Sequence, residues 1–173
     1  MNYGAIKYPD VANGPGVRVS LFVSGCRNHC KGCFQPETWS FDYGKEFTDK
    51  TIDYILNLLD NRYVRGLSIL GGDPFEPENE ASVYSICSIV NDRLPEKDIW
   101  IWTGYYWENL KDRIVMKYID VLVDGPFVEA EKNLCLPYRG SGNQRVIDVK
   151  SSLRGSEVIT VPFISDMRGE LYL

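Results

Sequence analysis

The chain has 173 residues, of which 44% are hydrophobic and 25% are charged, and its formal net charge is −5. This is the composition of a globular protein, and the negative charge excludes a protein whose main activity is binding the phosphate backbone of nucleic acids. No apolar run approaches the roughly 20 residues of a membrane span and no secretory signal opens the sequence, so we expect no membrane partner and a cytoplasmic location. The length predicts a single domain over residues 1–173.

Apolar, β-branched segments alternate with segments of helical period along the chain. The predicted strands are residues 17–24, 66–70, 98–103, 119–123, 145–149 and 157–161, and the predicted helices are residues 48–61, 77–93 and 107–117. In the first helix Ile52, Ile55 and Leu59 fall on one face, and Thr48 can cap its start. Residues 129–143 have weak periodicity and several turn formers, which predicts a long ordered loop.

Strands that alternate with helices indicate βαβ units and a mainly parallel sheet. At about 30 residues per unit the chain holds about five units, whereas a complete eight-stranded barrel needs about 250 residues. We therefore expect an α/β fold with about five to six strands, either an open doubly wound sheet or a partial (incomplete) βα barrel. In both, function sits at the carboxyl ends of the strands, where a cysteine-rich segment, Gly71-Gly72-Asp73, Thr103-Gly104 and Asp124 fall.

Three of the five cysteines, Cys26, Cys30 and Cys33, lie within eight residues and follow the first predicted strand directly. Thiolates bind structural zinc or iron–sulfur clusters, but a structural zinc site needs four ligands. His29 is the only histidine, and it is the immediate neighbour of Cys30, an arrangement that is strained for a tetrahedral site. Three ligands without a fourth favour a cluster with one open iron, while zinc and coincidence remain as alternatives. We expect Cys87 to lie in the core, and we expect Cys135 to be structural, with a redox role left open.

The spacing Cys-x-x-x-Cys-x-x-Cys after a first strand resembles the radical S-adenosylmethionine superfamily. The resemblance implies a partial βα barrel and a 4Fe–4S cluster bound by Cys26, Cys30 and Cys33, with S-adenosylmethionine chelating the fourth iron. It also implies that an electron from a low-potential donor cleaves the cosubstrate into methionine and a 5′-deoxyadenosyl radical.

The remaining candidate site residues follow from the same resemblance. Gly71-Gly72-Asp73 is similar to the Gly-Gly-Glu-type element of the superfamily, which implies that Gly72 and Asp73 meet the amino group of the cosubstrate. For this element the alternative is an ordinary strand-to-helix turn. Thr103 is a candidate for the ribose and Gly104 for the adenine, although an ordinary turn remains the alternative for both. Asp124 is a candidate for the ribose or a positive centre, and Gln35 for orienting the cosubstrate.

Longer segments narrow the resemblance to the anaerobic ribonucleotide reductase activating proteins. They are Asn-Gly-Pro-Gly-Val-Arg at residues 13–18, Cys-Phe-Gln-Pro-Glu-Thr-Trp at 33–39, Asp-Gly-Pro-Phe at 124–127 and Arg-Gly-Ser-Gly-Asn-Gln-Arg at 139–145. The implied partner is the large chain of that reductase, on which a glycyl radical is formed, and the loop 129–143 with Tyr138 and Arg139 is our candidate for the contact. The last twenty or so residues are not assigned.

Two other functions remain compatible with the sequence. One is the activation of another glycyl radical enzyme, such as pyruvate formate-lyase, since such activators share the Gly-Pro-Gly-x-Arg pattern and Trp39. The other is a non-catalytic zinc or iron–sulfur binding module, which would hold a metal without a cosubstrate.

Overall fold

The structure is a computed structural model that describes residues 1–155, 157–162, 164–165 and 171–172. Its main sheet has seven strands in the order β3-β1-β2-β4-β5-β6-β7. The strands are β1 (Asn2–Asp10), β2 (Val17–Val23), β3 (Lys45–Glu46), β4 (Val64–Gly71), β5 (Asp98–Trp102), β6 (Val121–Asp124) and β7 (Arg145–Asp148). A separate pair, β8 (Ile164–Ser165) and β9 (Leu171–Tyr172), is antiparallel.

The centre of the sheet is parallel and its two sides are antiparallel. Strands β2, β4, β5 and β6 pair in parallel, whereas β1 pairs antiparallel with both β2 and β3, and β7 pairs antiparallel with β6. The connections between the parallel strands carry α1 (Asp49–Leu59), α2 (Pro77–Arg93) and α3 (Trp107–Leu110), and α4 (Val149–Arg154) follows β7. The predicted α/β class is confirmed, with a mixed sheet that has more strands than the five to six expected from the sequence.

Local sequence explains the two long helices. Thr48 is the N-cap of α1, and its backbone N–H donates to Thr51 Oγ1 at 3.2 Å, as in a capping box. The predicted apolar face of α1 is buried, with Ile55 fully inaccessible. Helix α2 begins at Pro77, a residue whose fixed φ suits the first helical position. No helix among the described residues is long and apolar enough to cross a bilayer.

Several predicted boundaries are wrong. The predicted helix 107–117 is divided into α3 and a 3-10 helix, Ile114–Tyr118. The predicted strand 157–161 forms only an isolated bridge between Thr160 and Ile147, and Ser156 beside it lies outside the described residues. Strand β1 was not predicted. Its segment contains Gly4, Lys7 and Pro9, so local sequence gives no strong strand signal, and its position depends on pairing with β2.

The sheet has two different faces because side chains alternate along each strand. On one face Leu21, Ile69 and Ile101 pack with the helices in the main core. On the other face Phe22, Leu70 and Trp102 line a cavity. The carboxyl ends of β2, β4 and β5 reach the same rim of this cavity, which therefore is the place to look for a site.

Candidate functional site

A cavity with a volume of about 640 Å³ lies on the face of the sheet opposite the main core. Most of the predicted site residues line it: Cys26, Cys30, Cys33, Gln35, Gly71, Gly72, Asp73, Thr103 and Gly104. They come from three separate strand ends, so the sheet brings together residues that are about 80 positions apart in the chain. Asp124 is not among the lining residues.

The cysteine loop, residues 25–35, is held by backbone contacts with the 3-10 helix Pro36–Trp39. Gly25 N donates to Thr38 O at 2.8 Å and Cys26 N donates to Trp39 O at 3.1 Å. Gly25 has a φ of +95°, and a Cβ at this position would lie 2.2 Å from the ring of Phe41, so the turn requires glycine. His29 is exposed and stacks on Trp39 with ring centroids 4.6 Å apart.

The three thiols of this loop are free. Burial raises the pKa of Cys26 to about 11; the backbone N–H groups of Asn28 and His29 lower it, and the charge of Asp73 raises it further. Gln35 N approaches Cys33 Sγ at 3.5 Å. N–H groups that face sulfur are a common feature of iron–sulfur sites, where they stabilise the thiolates. The donor set therefore fits a cluster bound at this loop.

No three His, Cys, Asp or Glu side chains of the described residues converge on one point as ligands of a single ion. A four-iron cluster does not need such convergence, because each protein thiolate binds a different iron. Cys87 is fully buried in the main core, as predicted, and burial raises the pKa of its thiol. Cys135 is exposed, and its N–H donates to Asn133 Oδ1 at 2.9 Å.

Asp73 is the point at which the three strand ends meet. Its side chain is 1% exposed, and its Oδ1 accepts from Thr103 Oγ1 at 2.8 Å and from Phe75 N at 3.0 Å. Its Oδ2 accepts from Gly104 N at 2.9 Å and from Asn28 Nδ2 at 3.0 Å. Burial raises its pKa to about 6, and the charge of Glu76 acts in the same direction, whereas the bonds from Gly104, Phe75 and Thr103 lower it. The carboxylate thus connects the cysteine loop to the ends of β4 and β5.

Glycines let the same three segments approach closely. A Cβ on Gly72 would lie 2.5 Å from Gly25 O, and a Cβ on Gly104 would lie 2.2 Å from Asn28 Nδ2. These contacts explain the predicted glycines by packing between loops; their predicted contacts with a cosubstrate stay predictions.

Sequence reasoning missed two residues that hold the cysteine loop. Asn28 was overlooked because it lies between the cysteines, and its amide donates to Asp73. Glu76 was overlooked because it lies at the start of a helix, where a carboxylate has an ordinary capping use. Its carboxylate instead accepts from Arg27 N at 2.7 Å. The available signal was the spacing of two acidic residues, Asp73 and Glu76, next to the glycine pair.

The structure places Asp124 outside the lining of the cavity. Along β6, Val123 packs on the cavity side with Trp100, whereas Leu122 packs on the helix side, so alternation directs Asp124 to the helix side as well. Its buried carboxylate accepts from Trp107 N at 2.8 Å and pairs with Arg145 at 2.5 Å. Asp124 therefore anchors α3 and β7 and does not face the cavity.

The loop 129–143 covers one side of the cavity. Phe34, which follows Cys33, contacts Phe127 with ring centroids 5.3 Å apart and lies 4.9 Å from Lys132 Nζ. Trp102 Nε1 donates to Tyr138 O at 2.7 Å, which ties the loop to the sheet. The segment Arg-Gly-Ser-Gly-Asn-Gln-Arg is bonded largely to itself and to the β6 end: the Gln144 side-chain oxygen accepts from Gly140 N, and its Nε2 donates to Gly125 O.

Comparisons with known proteins agree with this site. The family model described as "4Fe-4S single cluster domain" matches residues 12–147. The chain is 45% identical over 148 residues to a protein of Enterobacteria phage T4, with 84% of this chain and 93% of the relative covered. It is 46% identical to a protein of Vibrio cholerae, with 83% and 96% covered, and 41% identical to one of Escherichia coli K12, with 84% and 97% covered.

All three relatives bear the same name, "Anaerobic ribonucleoside-triphosphate reductase-activating protein". The matched residues include the cysteine loop and every strand end that lines the cavity. With identities above 40% over most of both chains, this chain belongs to the family of anaerobic ribonucleoside-triphosphate reductase-activating proteins and carries its 4Fe–4S single cluster domain.

Proposed function

We propose that this chain is a radical S-adenosylmethionine activase that forms a glycyl radical on the large chain of anaerobic ribonucleotide reductase. The observation that carries the proposal is the position of Cys26, Cys30 and Cys33 on one cavity with Gly72 and Asp73. Three thiolates would leave one iron of a 4Fe–4S cluster without a protein ligand, and an open metal position is where a cosubstrate binds.

The cluster would be held by these three cysteines. When bound, it supplies one electron for cleavage of the sulfonium C–S bond, which yields methionine and a 5′-deoxyadenosyl radical that takes an α-hydrogen from a glycine of the partner. The electron comes from a low-potential donor. Because such a site needs reduced thiols, we place the reaction in the cytoplasm.

The chain's own residues bind and orient the cosubstrate in this proposal. A cavity of about 640 Å³ has the size of a typical site for a molecule of this class. Phe22, Leu70 and Trp102 give it an apolar floor, on which a nucleoside can lie out of water. Asp73 fixes Thr103 and Gly104 at one edge and Asn28 at the other, so the groups expected to meet the cosubstrate are held before it arrives.

We further propose that the sheet belongs to an incomplete βα barrel, open at one side. The parallel order β2-β4-β5-β6 with a cavity on the face opposite the main core supports this. An opening would admit a protein loop that carries the target glycine, and the loop 129–143 lies beside the cavity where such a loop would enter. Leu134 in it is 80% exposed, which suits a contact with a protein partner.

The test is anaerobic reconstitution followed by electron paramagnetic resonance, with and without S-adenosylmethionine. We expect a cluster signal that changes when the cosubstrate is added, and 5′-deoxyadenosine after reduction. Cys26→Ala, Cys30→Ala and Cys33→Ala should each abolish 5′-deoxyadenosine, whereas Cys135→Ala is the matched control because this thiol is exposed and outside the cysteine loop.

Three results would contradict parts of the proposal. Activity retained in any of the three cysteine variants would refute the ligand assignment. A cluster indifferent to S-adenosylmethionine would indicate the binding-module alternative. A glycyl radical formed on pyruvate formate-lyase but not on the anaerobic reductase would identify the other activase.

A further inference from the structure

The side chain of Glu76 is buried at the start of α2, yet it does not cap that helix. Glu76 is the N-cap residue and makes no hydrogen bond to the helix with its side chain. It is 1% exposed, and its two carboxylate oxygens accept from Arg27 N at 2.7 Å and Arg27 Nη1 at 2.5 Å. A buried carboxylate is costly unless it is paired, so its orientation toward Arg27 calls for an explanation outside the helix.

Arg27 is the residue that follows Cys26, so the bond from its N–H acts on the cysteine loop itself. The guanidinium also pairs with Glu78 and lies 4.4 Å from the ring centroid of Phe41, the ring against which Gly25 packs. The bond from Arg27 N to Glu76 therefore fixes the backbone directly after Cys26.

We propose that Glu76 is a positioning residue for the cysteine loop: it fixes the turn between Cys26 and Cys30 through Arg27 N and keeps the reduction potential of a cluster bound there low. The inference rests on the proposed function, which requires a strongly reducing cluster. It concerns a residue outside the cysteine and glycine motifs.

The negative charge of Glu76 and its burial both lower the reduction potential of a cluster bound at the cysteine loop. Cluster potentials depend on nearby net charge, on hydrogen bonds to sulfur and on solvent exposure. Reduction adds an electron, and a buried negative charge opposes this more strongly than an exposed one because water screens it less. The Glu76 side chain is 1% exposed, whereas Arg27 and Glu78, its partners in the network, are 55% and 48% exposed.

The first experiment tests whether Glu76 positions the cysteine loop. After anaerobic reconstitution, Glu76→Ala should lose iron to a chelator at least about tenfold faster than the wild type, which corresponds to the loss of one hydrogen bond to a charged group. Glu78→Ala is the matched control, since Glu78 touches only the exposed guanidinium, and it should lose iron at the wild-type rate. Equal rates for the two variants would overturn the positioning role.

The second experiment tests the potential by redox titration monitored with electron paramagnetic resonance. Glu76→Gln keeps the size of the side chain and an oxygen that can accept from Arg27 N, so iron should be retained while the midpoint potential becomes more positive. Glu78→Gln removes the same charge in water and should leave the potential nearly unchanged. Arg27→Met removes the positive partner and should shift the potential in the opposite, more negative direction.

Equal shifts for Glu76→Gln and Glu78→Gln, or a positive shift for Arg27→Met, would overturn the electrostatic part. Should Glu76→Ala prove unfolded by circular dichroism, the comparison of Glu76→Gln with Glu78→Gln decides alone. Both experiments read the cluster without S-adenosylmethionine or reductase. If the proposed function fails, the wild-type cluster will not respond to S-adenosylmethionine, whatever these variants do; a wild-type chain that binds no cluster overturns both.

Discussion

Replacing Gly104 with alanine tests whether the strand ends are tied together through Asp73. Gly104 lies just after β5, where its N–H donates to Asp73 Oδ2 at 2.9 Å. Asn28 of the cysteine loop donates to the same oxygen at 3.0 Å. A methyl group at Gly104 would lie 2.2 Å from Asn28 Nδ2 and 2.8 Å from Asn28 Cγ, well inside van der Waals contact.

The cost can be worked out from these distances. The amide of Asn28 has to move by more than about 1 Å to restore an ordinary contact, and it then leaves hydrogen-bond range of Asp73. A hydrogen bond to a buried charged group contributes about 1.5–3 kcal/mol. Alanine in place of glycine also lowers the entropy of the unfolded chain, which stabilises the folded state by about 0.4–1 kcal/mol. The net loss expected for Gly104→Ala is therefore about 1–2 kcal/mol.

The assay is urea unfolding of the metal-free protein under reducing conditions. Gly142→Ala is the control, because its added methyl would lie nearest to the carboxylate end of Glu131, at 3.3 Å, and would meet other Glu131 atoms only at 3.9 Å. Its free energy of unfolding should change by less than about 1 kcal/mol. The decisive comparison is a double-mutant cycle: in an Asn28→Ala background, Gly104→Ala should cost nothing. An equal cost with and without Asn28 would refute the reasoning.

Three further predictions concern separate parts of the molecule. The pKa of Asp73 is raised in the folded state to about 6 from 3.8, so its contribution to stability is full below pH 3.8 and is lost as the pH rises through 6. In urea titrations, the difference in unfolding free energy between the wild type and Asp73→Asn should therefore fall by about 3 kcal/mol over that range. A difference that does not change with pH would contradict this prediction. Arg18→Met removes the fully buried partner of Asp98 (2.6 Å) and should cost about 3 kcal/mol in the same assay, whereas Arg65→Met, on the exposed side of Asp98, should cost less than about 1 kcal/mol. Leu134→Asp should weaken reductase binding about tenfold by titration calorimetry; unaltered affinity would exclude Leu134 from the contact.

The central strands and the helix α1 could be predicted because their structure follows from patterns of neighbouring residues. The parallel strands are rich in β-branched and aromatic residues, and α1 has a capped start and a single apolar face, so composition, period and caps identify them. The antiparallel sides were not predictable in the same way. Strand β3 has two residues, and β1 has shifts of register against β2, so their pairing is determined by contacts distant in sequence.

The sequence could predict site residues whose role follows from their type and spacing. It could not predict the role of a residue when that role depends on the face of the sheet to which the side chain points. The three cysteines carry their own signal through spacing. For Asp124, a carboxylate at a strand end is not sufficient evidence, because the face to which it points is set by the alternation that begins with Val121. Counting that alternation from the sequence would have placed it with Leu122 on the helix side.

Asp73 and Glu76 show why contacts between loops escape a reading of the sequence. Both residues lie between β4 and α2, and their partners are far away in the sequence. Asp73 accepts from Asn28, Thr103 and Gly104. Glu76 accepts from Arg27. The side chain of Glu76 makes no bond to its own helix, and only one of the bonds to Asp73, from Phe75 N, comes from its own turn, so both carboxylates can bond the cysteine loop. The cysteine loop is largely exposed and buries few apolar groups, so its geometry depends on such bonds. The acidic pair therefore determines the shape of the site as much as the cysteines determine its chemistry.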